Sequence, residues 1–136
     1  MTRVVSFADG FTSASAPVIA GAEQESYVLL NNQALTNITG LIFDSSIYKS
    51  IFFDYEIERI GSAEYRQVGQ FVAVYNGSWF LSFGNYTGDS IIEESLENDY
   101  GITLSIDSSG QIKYSSNDLT GHISSKIKLN VLKVDA

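Results

Sequence analysis

The chain has 136 residues, no cysteine and a formal net charge of -8. This length suits one domain with a sizeable core, and the lack of cysteine excludes a disulfide framework, a thiolate metal site and a cysteine nucleophile. The acidic charge disfavours non-specific binding to nucleic acid or to anionic lipid. For that reason we expect no nucleic-acid partner. Because no apolar run resembles a signal peptide or a membrane-spanning helix, we also expect no membrane partner.

The first third of the chain contains three predicted strands and one irregular segment. Residues 3–7 alternate well enough for a short strand. The segment 8–24 is rich in Ser, Ala and Gly around Pro17 and has neither a strand period nor a helix period. It is therefore predicted to be a loop or an arm. Residues 27–30 and 38–43 are the next two strand candidates.

Residues 48–83 form the strongest structural signal, a long β-hairpin that continues into a further strand. The alternation in its first strand predicts one buried face and one wet face, which fixes the register. The predicted inner residues are Ile51, Phe53, Tyr55 and Ile57, and the predicted outer residues are Phe52, Asp54, Glu56 and Glu58. Asn76 and Gly77 stand between two alternating runs, where this pair is typical of a tight hairpin turn.

The last third of the chain begins with an acidic segment and then returns to strands. Ser90 and Glu93 have the spacing of a capping box, so a short helix and a loop are both open here. Strands are predicted at 102–106, 111–114 and 123–134, with the lysines of the last strand facing outward. About eight to ten strands at intervals of roughly ten residues indicate an all-β, single-domain antiparallel β-sandwich, jelly-roll-like, over residues 1–136.

Three groups of residues could carry chemistry, and each has a simpler explanation. His122 lacks the partners that a hydrolytic triad or a zinc site needs. Glu56 and Glu58 could act as a glycosidase pair, but outward residues of an acidic strand show the same pattern. The acidic segment 89–99 lacks the spacing of a calcium loop, so a solvated loop is favoured over a structural calcium site. We expect no catalytic residue, no metal site and no cofactor.

Aromatic residues near the hairpin turn suggest a sugar-stacking surface as one alternative. Trp79 follows the turn directly and is predicted to be exposed, with Tyr86 as its companion. The other interpretation is that such residues fill the core.

Several segments resemble a family of small virion proteins of tailed bacteriophages, found as capsid decoration or cement proteins and in tail fibres or tail tips. The matching segments are 7–12, 38–41, 53–59, 74–79 and 110–116. The resemblance implies a β-rich structural protein without catalytic residues, assembled in the host bacterial cytoplasm, where cysteine has no disulfide role. It also implies many identical copies per particle, and so a homo-oligomer, with a trimer as one arrangement.

These observations lead to two functional hypotheses. The first is a capsid decoration or cement protein that binds the major capsid protein or other virion proteins, with contacts through Phe11 and Pro17 of the arm and through Trp79. The alternative is a receptor-binding module of the tail that binds carbohydrate through Trp79 and Tyr86. A glycan hydrolase ranks third.

Overall fold

A computed structural model describes residues 22–135 of the chain, in which eight strands are joined by turns and loops. The strands are β1 (Ala22–Val28), β2 (Thr36–Ile42), β3 (Tyr48–Ile60), β4 (Glu64–Tyr75), β5 (Trp79–Gly88), β6 (Ile102–Ile106), β7 (Gln111–Ser116) and β8 (Ser124–Asp135). Among these residues no helix is long and apolar enough to cross a membrane.

The strands form two antiparallel sheets that pack as one sandwich. The larger sheet has the order β1-β8-β3-β4-β5, and the smaller has the order β2-β7-β6. Strand β1 pairs with β8 in the larger sheet and β2 pairs with β7 in the smaller sheet, as in a jelly roll. Strands β3, β4 and β5, by contrast, are neighbours in the larger sheet. The predicted all-β sandwich is confirmed, and the strand count lies at the lower end of the predicted range.

Alternation in β3 places the core between the sheets, as its sequence predicts. Phe53 is buried at the centre, stacked on Phe71 of β4 at 4.4 Å between ring centroids and edge-on to Phe43 at 5.7 Å. Ile112 and Tyr114 of β7 close the core from the smaller sheet. Because each such side chain contributes roughly 1.5–3 kcal/mol on burial, this layer dominates the stability of the fold.

Arg59 ends the buried face of β3 and is completely buried, at 0% exposure. Its guanidinium donates to Asn31 Oδ1 at 2.6 Å, to the Asn117 carbonyl at 3.0 Å and to Ser125 Oγ at 2.9 Å. Within residues 22–135 no carboxylate forms an ion pair with it, and burial lowers the pKa of the guanidinium from its ordinary value. Arg59 therefore ties three segments to one end of the sandwich through hydrogen bonds.

The acidic segment after β5 is a loop, which settles the choice between helix and loop. Asp89 Oδ2 accepts the Arg66 backbone N–H at 3.0 Å. Glu93 Oε1 accepts the N–H groups of Glu97 at 2.9 Å and of Asn98 at 3.2 Å. The carboxylates satisfy backbone donors of an irregular turn, so no helical hydrogen-bond ladder is needed there.

The predicted arm lies mostly outside the described residues. Its last three residues, 22–24, belong to β1, where they pair with β8. The rest of the arm, with Phe11 and Pro17, and the predicted strand 3–7 fall outside the described part of the chain.

Gly110 is required by the turn between β6 and β7. Its φ is +85°, and an added Cβ would lie 2.1 Å from the Phe43 carbonyl oxygen. Gly77 is a matched control, with φ +81° but no atom within 4 Å of an added Cβ. We expect Gly77→Ala to cost roughly 1–2 kcal/mol from strain alone. Gly110→Ala should cost a further ~1–3 kcal/mol because the backbone must move. Equal losses in urea unfolding would contradict this close approach.

Candidate interaction surface

The outer face of the larger sheet divides into an apolar half and a charged half. Cross-strand register sets the division, because residues opposite one another in β8, β3, β4 and β5 form rows across the sheet. Phe52 lies opposite Val72 and Leu132, whereas Glu58 lies opposite Arg66 and Lys126. The two rows lie at opposite ends of the same face.

The apolar half is called here the apolar patch and consists of Phe52, Val72, Val74, Phe80, Leu132 and Val134. Phe52 is 45% exposed, Phe80 57% and Val134 42%. Single exposed apolar residues are ordinary, but adjacent ones from four neighbouring strands form a contiguous surface, which is typical of protein contact sites. Folding of the sheet does not require an apolar surface on its outer face.

The charged half contains an ion-pair cluster of Glu56, Glu58, Arg66 and Lys126. Arg66 Nη1 lies 2.9 Å from Glu56 Oε2, and its Nη2 contacts Glu58. Lys126 Nζ lies 3.7 Å from Glu58 Oε1. Ion pairing accounts for the close approach of the two glutamates, so their spacing needs no hydrolytic role. Lys126 and Lys128 of β8 lie on this outer face, as predicted, whereas Lys133 lies opposite the buried Ile51 and so is not on the outer face.

Other candidate chemical groups are held in structural contacts. His122 Nε2 lies 2.9 Å from Ser125 Oγ, the same hydroxyl that Arg59 binds. In the part of the chain that the structure describes, no group of three His, Cys, Asp or Glu side chains could hold a metal ion.

Trp79 is buried, at 7% exposure, and the prediction of an exposed indole is wrong. Its ring packs edge-on to Tyr75 at 5.3 Å, and an added Cβ at Gly110 would lie 2.9 Å from its Nε1 atom. The turn at Asn76 returns the chain so that position 79 is the first inward residue of β5, opposite Tyr75. Trp79 therefore serves as core at this end of the sandwich.

Tyr86 and Phe83 are the exposed aromatic residues of β5 on the side of the core, at 48% and 43% exposure. Phe83 packs at 5.5 Å against Phe71. Trp79 lies seven residues before Tyr86, or roughly 20 Å along a strand. Trp79 and Tyr86 therefore do not form one stacking surface, and a sugar contact on β5 would use Tyr86 with Phe83.

Tyr55 is a buried phenol near Tyr86, and burial raises its pKa to about 12, with a smaller contribution from Tyr86. The phenol in the unfolded chain has a pKa near its ordinary value of 10.0, so the unfolded chain ionises first. We expect stability to fall as pH rises between these two values and to be unaffected by this group below them. An ultraviolet phenolate titration of wild type and of Tyr55→Phe measures the pKa of Tyr55, because the variant should lack the tyrosine that ionises last. If the variant instead lacked a tyrosine that titrates normally, the raised pKa of Tyr55 would be contradicted.

The exposed members of the apolar patch are the residues that motif reasoning did not single out. The adjacent pair Phe52 and Phe53 was the available signal, because alternation buries only one of two neighbouring apolar residues. The apolar outward positions Val72, Val74 and Phe80 repeat that signal on β4 and β5.

No known family model matches the chain, and a search of curated proteins finds no match. Among solved structures, the chain is similar to the tailspike protein of Acinetobacter phage vB_ApiP_P1, with a TM-score of 0.49 and 12% sequence identity. The likeness covers 98% of this chain and 26% of that chain, so this chain spans about a quarter of the tailspike's length. A TM-score of 0.49 is too low to assign a shared function.

Proposed function

We propose that the chain is a non-enzymatic structural protein of a bacteriophage particle, and specifically a capsid decoration protein that stabilises the shell. The observation that carries the proposal is the apolar patch, because it offers a protein contact surface on a rigid sheet. Phe52 at its centre is held by strand pairing on both sides, so its position is fixed before a partner binds.

Two further features support a role in binding rather than in chemistry. The carboxylates of Glu56 and Glu58 are engaged by Arg66 and Lys126. The sequence segments that resemble small virion proteins include 53–59, which lies in β3, and 74–79, which spans the turn between β4 and β5. In this proposal the partner is the major capsid protein, and the chain acts in the virion as a homo-oligomer.

The test is binding to particles that lack the protein. Purified chain added to such particles should bind in hundreds of copies, as a shell lattice requires, and should raise the temperature at which the shell opens. Quantitative mass spectrometry gives the copy number. A count of a few or a dozen copies would place the chain in the tail and would overturn capsid decoration.

A tail receptor-binding module is the second candidate, and the exposed rings of Tyr86 and Phe83 favour it. Aromatic faces of this kind pack on the C–H groups of sugars. Binding on a glycan array that is lost in Tyr86→Ala would support this function. Phe80→Ala is the control, because Phe80 is exposed on the opposite face of the same strand. Equal loss in both variants would argue against a sugar site at Tyr86.

A further inference from the structure

Strand β5 forms one edge of the larger sheet, and within residues 22–135 no strand pairs with its outer side. It runs from Trp79 to Gly88, and all its residues from Ser82 to Gly88 are exposed. The row of free backbone N–H and C=O groups on such an edge is a template for adding another strand.

Natural edge strands are protected by charge, by proline or by irregular backbone, and β5 has little of this protection. Its sequence, from Trp79 to Gly88, contains no charged residue and no proline. It departs from regular pairing with β4 at one bulge, between Phe83 and Tyr86. Proteins normally block exposed edges with such devices to avoid uncontrolled association, so an uncharged edge of this length, interrupted by one bulge alone, indicates a use for it.

The other edge strands of the two sheets in residues 22–135 are less suited to pairing. Strand β1, the opposite edge of the same sheet, has Glu23 and Glu25 in its sequence. Strand β2 is uncharged but has only 7 residues, against 10 in β5, and its register with β7 is interrupted from Asn37 to Ile42. On the edge of β6, Ile92 already forms a bridge to Ile102. Among the described edges, β5 therefore combines length with the absence of charge.

We propose that β5 pairs antiparallel with β5 of a second copy of this chain, which joins the two larger sheets edge to edge. The absence of charge on β5 is what allows a second copy of this acidic chain to be the occupant. Two chains of net charge -8 repel one another, and the uncharged strand is a surface on which they can approach at least electrostatic cost. An edge that pairs with itself about a two-fold axis also closes the assembly at two copies.

The oligomeric state of the purified chain tests this interface. We expect light scattering to give twice the 14.9 kDa mass of the chain. The double variant Ser82→Glu/Asn85→Glu should be monomeric, because each copy then brings two carboxylates to the shared edge. The matched control Gln24→Glu/Ser26→Glu places the same charges on exposed positions of β1 and should remain dimeric. A wild-type monomer or trimer, or a dimer that survives the β5 charges, would overturn the proposal.

A cross-linking experiment avoids dependence on the stability of the charged variant. The chain has no cysteine, so one introduced thiol reports one site. Gly84→Cys is suitable because an added Cβ would meet only the Gln70 carbonyl oxygen, at 3.6 Å. Mild oxidation should link Gly84→Cys into a dimer and leave Ser26→Cys largely unlinked. Equal linking of the two variants, or none in either, would contradict pairing through β5.

Discussion

Replacement of Arg59 by methionine should lower the free energy of unfolding by about 3 kcal/mol. The guanidinium is fully buried and donates to Asn31, Asn117 and Ser125. Methionine fills part of the volume but makes none of these hydrogen bonds, and a hydrogen bond to a charged group contributes about 1.5–3 kcal/mol. Each acceptor keeps a second partner, so the cost is the loss of the three bonds rather than three orphaned acceptors. Relief of the buried charge offsets part of the loss. The net loss is a large fraction of the free energy of unfolding, which is about 5–15 kcal/mol for an ordinary domain.

Arg66→Met is the matched control, because Arg66 is also a β-strand arginine but lies half exposed on the outer face. Arg66 contacts both Glu56 and Glu58, yet exposed ion pairs contribute about 0–1 kcal/mol. Urea unfolding of the two variants should separate them by about 2 kcal/mol or more. If Arg66→Met were the more destabilised variant, the role given to the buried arginine would be wrong.

Replacement of Trp79 by alanine should cost about 3–5 kcal/mol, because a buried aromatic ring leaves a cavity when removed. Trp79 is 7% exposed and packs on Tyr75. An exposed contact residue would behave differently: its loss would weaken binding to a partner and leave the free chain stable. Thermal unfolding of the free chain therefore distinguishes core from contact surface at this position.

Phe80→Ala provides the comparison one residue further along β5. Phe80 is 57% exposed, so its removal should cost less than about 1 kcal/mol. We expect loss of Trp79 to lower the stability of the free chain, and loss of Phe80 to weaken contacts with a partner instead. Similar stability losses in the two variants would contradict the burial of Trp79.

Local pattern predicted most of the larger sheet. Alternation in β3 placed Ile51 and Phe53 inward and Glu56 outward, because burial of one face leaves a strand one register. The Asn76-Gly77 pair marked the turn between β4 and β5, where the positive φ of Gly77 suits a hairpin. The order of the sheet was not readable, since β1 pairs with β8 across most of the chain length and no local signal encodes such a contact.

The candidate surface was harder to predict, because it depends on which sheet face the rest of the fold covers. Trp79 and Phe80 are adjacent aromatic residues, and sequence alone does not say which one faces the core. The structure buries Trp79 under the turn at Gly110 and exposes Phe80. Arg59 could have been recognised, because it continues the inward positions of β3 after Ile57. A charged residue there contradicted the expected apolar pattern and pointed to a buried polar role.

Two substitutions on one sheet face test whether the apolar patch binds other virion proteins, as proposed. Phe52→Lys places a charge in the apolar patch, whereas Val68→Lys places the same charge in the charged half at similar exposure, 50% against 45%. Both variants should fold with nearly wild-type stability. The measurement is the affinity of each variant for particles lacking the protein. We predict binding at least roughly tenfold weaker for Phe52→Lys and nearly unchanged for Val68→Lys. Unchanged binding of Phe52→Lys would contradict binding through the apolar patch.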